Sequence, residues 1–129
     1  MAYGSLLTDT VQSSTTGTPP QFNDGSGTQV GTLCRAWVNF NGSTAARTGS
    51  FNVSSVTRAS TGVYTISMTN ALPDTAYAVV GTAGQSTANI IGSPWTNNGT
   101  ITSSSFFVSC VNYTGSYTDQ TTISITVFR

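Results

Sequence analysis

Alternation of apolar and polar residues is the dominant pattern along this chain, and a period of two predicts β-strands. The clearest run lies between Thr32 and Asn41, where every second residue from Cys34 to Phe40 is apolar. One face of this strand is therefore expected in the core. The other face carries Trp37 among polar neighbours, and we expect this indole to be partly buried against a neighbouring chain.

Further runs of the same period follow, set apart by turns rich in Gly, Asn and Pro. The inward residues that they predict are Tyr64, Ile66 and Met68, then Phe106, Val108 and Cys110, and finally Ile123, Ile125 and Val127. Residues 77–82 are apolar almost throughout, which is typical of a strand inside a sheet, and residues 88–92 suit a further short strand. Seven or eight short strands with polar turns predict an all-β fold, an antiparallel β-sandwich.

The sequence also predicts a strand with a bulge, one long strand and a turn. Residues 50–58 are expected to form one strand, with a bulge near Ser54-Ser55 where the apolar period slips. Residues 100–113 are expected to form one long strand. The pair Asn41-Gly42 predicts a turn, because these two residue types readily adopt positive φ.

The first 30 residues differ in composition from the rest of the chain. They are rich in Ser, Thr, Gly and Pro, and such a segment cannot bury enough apolar surface to fold alone. We expect residues 1–30 to be an extended anchoring arm that becomes ordered on a neighbouring subunit, with a disordered tail as the alternative, and residues 31–129 to be the sandwich domain. The candidate assembly residues are Tyr3, Leu6, Leu7, Val11 and Phe22 in the arm and Trp37 in the domain.

The charged residues exclude several classes of function. Four Arg and four Asp give a net charge of zero, and the chain contains no His, Lys or Glu. Without a basic stripe, a nucleic-acid partner is not expected. Without His or Lys, and with four Asp far apart in sequence, an enzyme is not expected either. No zinc or calcium pattern is present, so the sequence predicts no metal or cofactor.

The chain's N-terminus has neither a basic start nor an apolar core, and no apolar run approaches membrane-spanning length. We therefore expect a protein made in a cytoplasm, without a membrane partner. Its two cysteines, Cys34 and Cys110, lie in strand-like segments. Free thiols that pack as small apolar groups are the expected state, because a cytoplasmic origin opposes a disulfide.

About half of the chain carries a family resemblance. The pieces that match, in order, are Ala36-Trp37-Val38-Asn39-Phe40, Phe51-Asn52-Val53-Ser54-Ser55-Val56, Thr61-Gly62-Val63-Tyr64-Thr65-Ile66 and Ala71-Leu72-Pro73-Asp74, followed by Tyr77-Ala78-Val79-Val80-Gly81. In amino-acid sequence and spacing these pieces resemble a β-sandwich module of tail-fibre and other virion proteins of tailed bacteriophages. The segment Arg58-Ala59-Ser60 departs from that pattern, which makes the hairpin there less secure.

The resemblance implies a non-enzymatic virion component, made in the host cytoplasm, that acts as a short tail fibre or fibre-tip module in host attachment. It also implies a homotrimer, anchored by the arm to other virion proteins of the tail or head. A capsid decoration or cement protein is the alternative, favoured by small size. A carbohydrate-binding module excised from an enzyme is a third hypothesis, against which the start at Met1 argues.

Aromatic residues in two loops are the candidate receptor contacts, because the apolar face of a sugar stacks on a flat ring. These candidates are Trp95, Asn97 and Asn98 in the first loop and Tyr113, Tyr117 and Asp119 in the second. A host surface glycan would be the ligand. The alternative is that Trp95 closes one end of the sandwich and that the two tyrosines pack between subunits.

Overall fold

A computed structural model describes residues 7–15, 19–85, 88–92 and 101–129, and of residues 85 and 88–92 it describes the backbone alone. The regular structure of these residues is entirely β. The strands are β1 (Phe22–Asn23), β2 (Gln29–Gly31), β3 (Cys34–Phe40), β4 (Arg47–Phe51), β5 (Val53–Ser60), β6 (Val63–Met68), β7 (Ala78–Gln85), β8 (Ala88–Gly92), β9 (Ser105–Ser109) and β10 (Thr122–Phe128). The predicted all-β class is confirmed.

Eight of these strands form two antiparallel sheets, in the orders β4-β3-β10-β7-β8 and β5-β6-β9. Their inward residues share one core, which contains Ala36, Val38, Phe40, Val53, Tyr64, Ile66, Met68, Leu72, Phe106, Val108, Cys110, Ile123, Ile125 and Val127. Phe40 of β3 meets Tyr64 of β6 edge to face, with ring centroids 5.1 Å apart. The two sheets therefore enclose one apolar layer, as the alternation predicted.

The prediction of one strand over residues 50–58 is wrong, because the chain changes sheets at Asn52. β4 ends at Phe51 in the larger sheet and β5 begins at Val53 in the smaller one. Asn52 has φ 54°, a conformation that asparagine tolerates. Its side-chain nitrogen donates to the carbonyls of Arg35 and Asn70, which holds the crossing in place. The bulge predicted near Ser54-Ser55 is confirmed by a register shift between Val53 and Ser55.

The prediction of one long strand over residues 100–113 is also wrong, since β9 spans only Ser105–Ser109. Just before it, the Thr102 hydroxyl accepts hydrogen bonds from the amides of Ser104 and Ser105. A side chain that binds nearby backbone amides in this way competes with a strand ladder. The predicted burial of Phe106 and of its inward neighbours is confirmed.

The turn predicted at Asn41-Gly42 is present, but the residue with positive φ is Ala45, at 56°. The side-chain oxygen of Asn41 accepts hydrogen bonds from the backbone amides of Ser43 and Thr44. Gly42 is needed for a different reason. A Cβ there would lie 2.5 Å from the Tyr64 hydroxyl and 2.6 Å from the Gln120 carbonyl.

Both cysteines are free thiols. Cys110 is fully buried in the core, and burial raises the pKa of its thiol to about 11. Cys34 was predicted on the core face but is only half-buried, because the register of β3 with β10 shifts at this end of the strand. At neutral pH the Cys110 thiol is therefore protonated and packs as a small apolar group.

The chain divides into two compact units, residues 1–33 and residues 34–129. Within the first unit, residues 22–31 form the hairpin β1-β2, whose turn is held by Asp24. The Asp24 carboxylate accepts hydrogen bonds from the Ser26 hydroxyl and from the amides of Thr28 and Ser26, and these bonds lower its pKa, with that from the hydroxyl the main cause. The described residues before the hairpin carry no helix or strand. The assignment of this segment as an anchoring arm stays a prediction.

Gln120 is a fully buried polar residue beside the core. Its backbone carbonyl accepts the amide of Gly42 at 2.9 Å, but its side-chain amide has no hydrogen-bond partner in the structure described above. An unpaired buried amide is unfavourable, and an apolar group of the same shape removes that penalty. We therefore expect Gln120→Met to raise the free energy of unfolding by about 1 kcal/mol.

Urea denaturation followed by circular dichroism measures this change. Ile123→Val, a conservative change in the neighbouring core, is the control and should lower stability by about 1 kcal/mol. A loss of stability in Gln120→Met would contradict the expectation and would reveal a partner for the amide.

Candidate functional site

The second predicted receptor loop is described by the structure, and its tip is a tight turn built on Asn112. The side-chain amide oxygen Oδ1 of Asn112 accepts hydrogen bonds from the backbone amides of Thr114 and Ser116, at 3.0 and 2.9 Å. Gly115 has φ 81° and closes the turn. The side chain of Tyr113 is 85% exposed and that of Tyr117 is 48% exposed. Both rings are thus presented to solvent on an ordered turn.

Asp119 differs from these two tyrosines because its carboxylate is engaged within the fold. Arg58 donates to both oxygens through Nε, at 3.1 and 3.0 Å, and through a terminal nitrogen at 2.7 Å. The Tyr64 hydroxyl and the Gly62 amide donate to Oδ1 at 2.7 and 2.8 Å. Asp119 therefore ties the last loop to the β5–β6 hairpin, and we assign it a structural role.

Electrostatics agree with this role. Hydrogen bonds from Arg58 are the main cause that holds the pKa of Asp119 at about 2, opposed by partial burial and supported by Gly62 and Tyr64. The Tyr64 hydroxyl is buried beside the carboxylate, so its pKa is raised well above the usual range. Asp119 is ionised and Tyr64 neutral at every physiological pH, which leaves neither group suited to proton transfer.

Several predicted site residues lie outside the described residues: Trp95, Asn97, Asn98, Tyr3 and Leu6. Of the predicted assembly residues that the structure describes, Leu7 is 94% exposed, Val11 62%, Phe22 48% and Trp37 37%. The contact predicted between Trp37 and a neighbouring chain stays a prediction.

The outer face of the larger sheet holds a feature that we did not predict from the sequence. Cross-strand register places Phe51, Trp37, Thr126 and Val80 in one row over β4, β3, β10 and β7. The next row along the strands contains Gly49, Asn39, Ser124 and Thr82. An exposed aromatic and aliphatic row thus lies beside a row of small and polar residues.

A trough of about 190 Å³ lies on this outer face, over β10. Its lining side chains come from three strands: Ser124 and Thr126 on β10, Trp37 and Asn39 on β3, and Val80 and Thr82 on β7. Trp37 is much the largest of them, so the trough lies beside the indole. The sequence does not show this feature, because the lining residues come together only when the strands pair.

Charge is absent from this trough, because none of its lining residues is charged. Two ion pairs hold other parts of the domain, Arg58 with Asp119 and Arg129 with Asp74. Among the described residues, no group of His, Cys, Asp and Glu side chains could hold a metal ion. No helix within the same residues is long and apolar enough to cross a membrane.

No protein-family model, curated protein or solved structure matches this chain. A functional assignment therefore depends on the chain's own residues and on the resemblance drawn from residues 34–83.

Proposed function

We propose that this protein is a structural component of a tailed-bacteriophage virion, a short tail fibre or fibre-tip module that takes part in attachment to the host. The resemblance of residues 34–83 to such modules motivates the proposal. The observation that carries it furthest is the exposure of apolar side chains in the N-terminal unit.

Several apolar side chains of that unit are exposed in the described part of the chain. The exposed side chains are Leu7, Val11, Phe22, Val30 and Leu33, each of them between 41% and 94% exposed. Apolar side chains spaced along a short polar segment cannot form a core of their own. They can, however, anchor the segment in a groove of another protein. This supports an arm that orders on a tail or head protein.

The domain supplies support of a second kind. Within the described part of the chain, the outermost strands are β4 and β8 in the larger sheet and β5 and β9 in the smaller one, and none of these is paired on its outer edge there. Such edges invite pairing with other chains. A homotrimer, which is part of the proposal, would cover some of them by symmetric packing of the three domains.

Attachment to the host is assigned to the loops. Tyr113 and Tyr117 offer two exposed rings on a turn held by hydrogen bonds, an arrangement that suits stacking on a receptor sugar. Trp95, Asn97 and Asn98 belong to the same proposal on the strength of the sequence alone. Asp119 is excluded from it, because its oxygens are already bound.

Removal of residues 1–33 tests the anchoring role of the arm. The core residues and both ion pairs lie wholly within residues 34–129, so we expect this fragment to unfold cooperatively near the midpoint of the full chain. Without the arm, its incorporation into particles should fall to background. Infected cells that express tagged forms, followed by particle purification and blotting, provide the measurement.

A matched pair of full-length variants separates apolar anchoring from simple shortening. Leu7→Ser with Val11→Ser should reduce incorporation strongly, whereas Thr8→Ser with Thr10→Ser should leave it unchanged. Immunogold microscopy then locates the chain. Label at the tail tip agrees with the fibre, label over the head favours the decoration protein, and normal incorporation of residues 34–129 rejects the anchoring arm.

A further inference from the structure

We propose that the trough over β10 is a binding site for a neutral saccharide. In this site Trp37 provides the stacking surface, and the row of Asn39, Ser124 and Thr82 provides hydrogen-bonding groups. The inference depends on the geometry of the larger sheet and not on the proposed virion function. It assigns a ligand to a face of the domain, separate from the loops that carry Tyr113 and Tyr117.

The shape of the site follows from one large side chain on β3 beside smaller ones on β10 and β7. Neighbouring strands are about 4.8 Å apart, so β3 and β7 are separated by roughly 10 Å. Trp37 is much larger than Ser124, Thr126 and Val80, which leaves a concave surface beside the indole. At about 190 Å³ the trough is smaller than a typical drug-sized pocket, and a single sugar ring is of the appropriate size.

The stacking surface is held in a defined position. A Cβ at Gly49 would lie 3.3 Å from two carbons of the six-membered ring of Trp37, so this ring rests against the backbone of β4. The indole is nevertheless 37% exposed and lines the trough. Because the Trp37 ring is already held against β4 and is open to solvent, it loses little conformational entropy when a sugar stacks on it.

Hydrogen-bonding capacity lies two residues along the strands, about 7 Å from the aromatic row. Asn39 pairs in register with Ser124, and Ser124 pairs with Thr82. Among the described residues these three side chains have no hydrogen bond, whereas the Thr126 hydroxyl donates to the Val80 carbonyl at 3.3 Å. An amide and two hydroxyls in a row offer both donors and acceptors to sugar hydroxyls.

Charge selects the class of saccharide. No residue that lines the trough is charged, and Arg35, the charged residue on β3, does not line it. An anionic group of a sialylated or sulfated glycan would lose hydration among these lining residues and find no cationic partner among them. The chemistry therefore favours a neutral sugar.

A second copy of the chain fits this face less well. Among the side chains of this face that the structure describes, the large apolar ones exposed to solvent are Trp37, Phe51 and Val80, each of them 37–55% exposed. Together they present on the order of 300 Å² of apolar surface, a patch of a size that monomers carry. A stable protein interface covers about 800 Å² on each partner. An indole covered by a neighbouring chain could not stack on a sugar, so the two assignments exclude each other.

Fluorescence provides a direct test, because the chain contains two tryptophans. In a Trp95→Phe variant of the full chain, Trp37 is the sole tryptophan reporter. The probes are neutral oligosaccharides of glucose, galactose, mannose and N-acetylglucosamine, with sialylated and sulfated oligosaccharides beside them. We expect at least one neutral probe to change the Trp37 emission in a saturable manner, and the anionic probes to have no effect.

Variants then assign the binding to the trough, measured by calorimetry with the neutral probe that binds. Trp37→Ala should weaken binding by at least tenfold. Thr82→Val, which removes a hydroxyl at nearly constant shape, should weaken it about fivefold. Phe51→Ala is the matched control, since this ring lies in the same row but does not line the trough, and it should leave the affinity unchanged.

Three results would overturn the proposal. The first is that no neutral probe changes the Trp37 emission. The second is binding that persists in both Trp37→Ala and Thr82→Val, when each variant keeps the parent's circular dichroism spectrum. The third is a change of molar mass by light scattering in Trp37→Ala, which would assign this face to a second copy. The third result would also bear on the proposed homotrimer, but none of the three bears on incorporation into particles, so the anchoring role of the N-terminal segment is tested separately.

Discussion

Gly62→Ala is expected to lower the free energy of unfolding by about 4 kcal/mol, a large part of the stability of a domain of this size. Gly62 has φ 67°, which an alanine adopts only with strain. A Cβ at this position would also lie 2.6 Å from the Cys110 carbonyl oxygen and 2.6 Å from the Thr118 nitrogen. These are backbone atoms, so a rotamer change cannot relieve the overlap, and the hairpin must separate from the last loop.

Gly115→Ala provides the matched control for this experiment. Gly115 also has positive φ, 81°, but a Cβ there meets nothing within 4 Å. Only the conformational strain remains, which costs about 1 kcal/mol. Urea denaturation of both variants separates strain from overlap. Equal losses in the two variants would contradict the close approach of Gly62 to the last loop.

Asp119→Asn is expected to lower the free energy of unfolding by about 3 kcal/mol. The change removes the negative charge that Arg58 binds through three hydrogen bonds, and it weakens the bonds from Tyr64 and Gly62. The side chain of Asp119 is only 17% exposed, so water replaces these partners poorly. Urea denaturation near pH 7 measures the loss.

The same carboxylate makes stability depend on pH. Its pKa is about 2 in the folded protein and about 4 in an unfolded chain. Below pH 4 the unfolded state therefore binds more protons than the folded state, and the stabilisation is lost as pH falls from about 4 to about 2. The loss amounts to about 2 kcal/mol. In Asp119→Asn the dependence on pH in this window should be smaller.

Asp74→Asn is the control for both measurements. Asp74 also binds an arginine, Arg129, and its pKa is likewise about 2. Its side chain is 45% exposed, however, and exposed ion pairs are screened by solvent. The loss of stability should be much smaller than for Asp119→Asn. A loss of the same size in both variants would reject the structural role assigned to Asp119.

Much of the fold could be predicted because alternation is a local property. A strand turns successive side chains to opposite faces, so the inward residues of β6 and β10 follow from the spacing alone. The errors occurred where a side chain redirects the backbone. Asn52 turns the chain into the other sheet, and Thr102 delays the start of β9. Neither residue changes the apolar period enough to be recognised in the sequence.

The candidate sites were predicted in part, from the types of residue in loops. Tyr113 and Tyr117 are exposed on a turn, as loop aromatics are expected to be. Asp119 has the same kind of loop position, yet its oxygens are bound by residues 55 to 61 positions earlier in the chain. The spacing of residues does not reveal such partners.

Composition and alternation by themselves determined that this protein is an all-β chain with one apolar layer, few charges and an N-terminal segment of separate character. The tertiary structure alone decided the pairing order, in which the last strand lies between β3 and β7. It also decided the register that places Trp37 opposite Thr126 and in line with Val80. Pairing and register depend on contacts between residues far apart in sequence, and a local pattern of apolar residues does not specify which strands make those contacts.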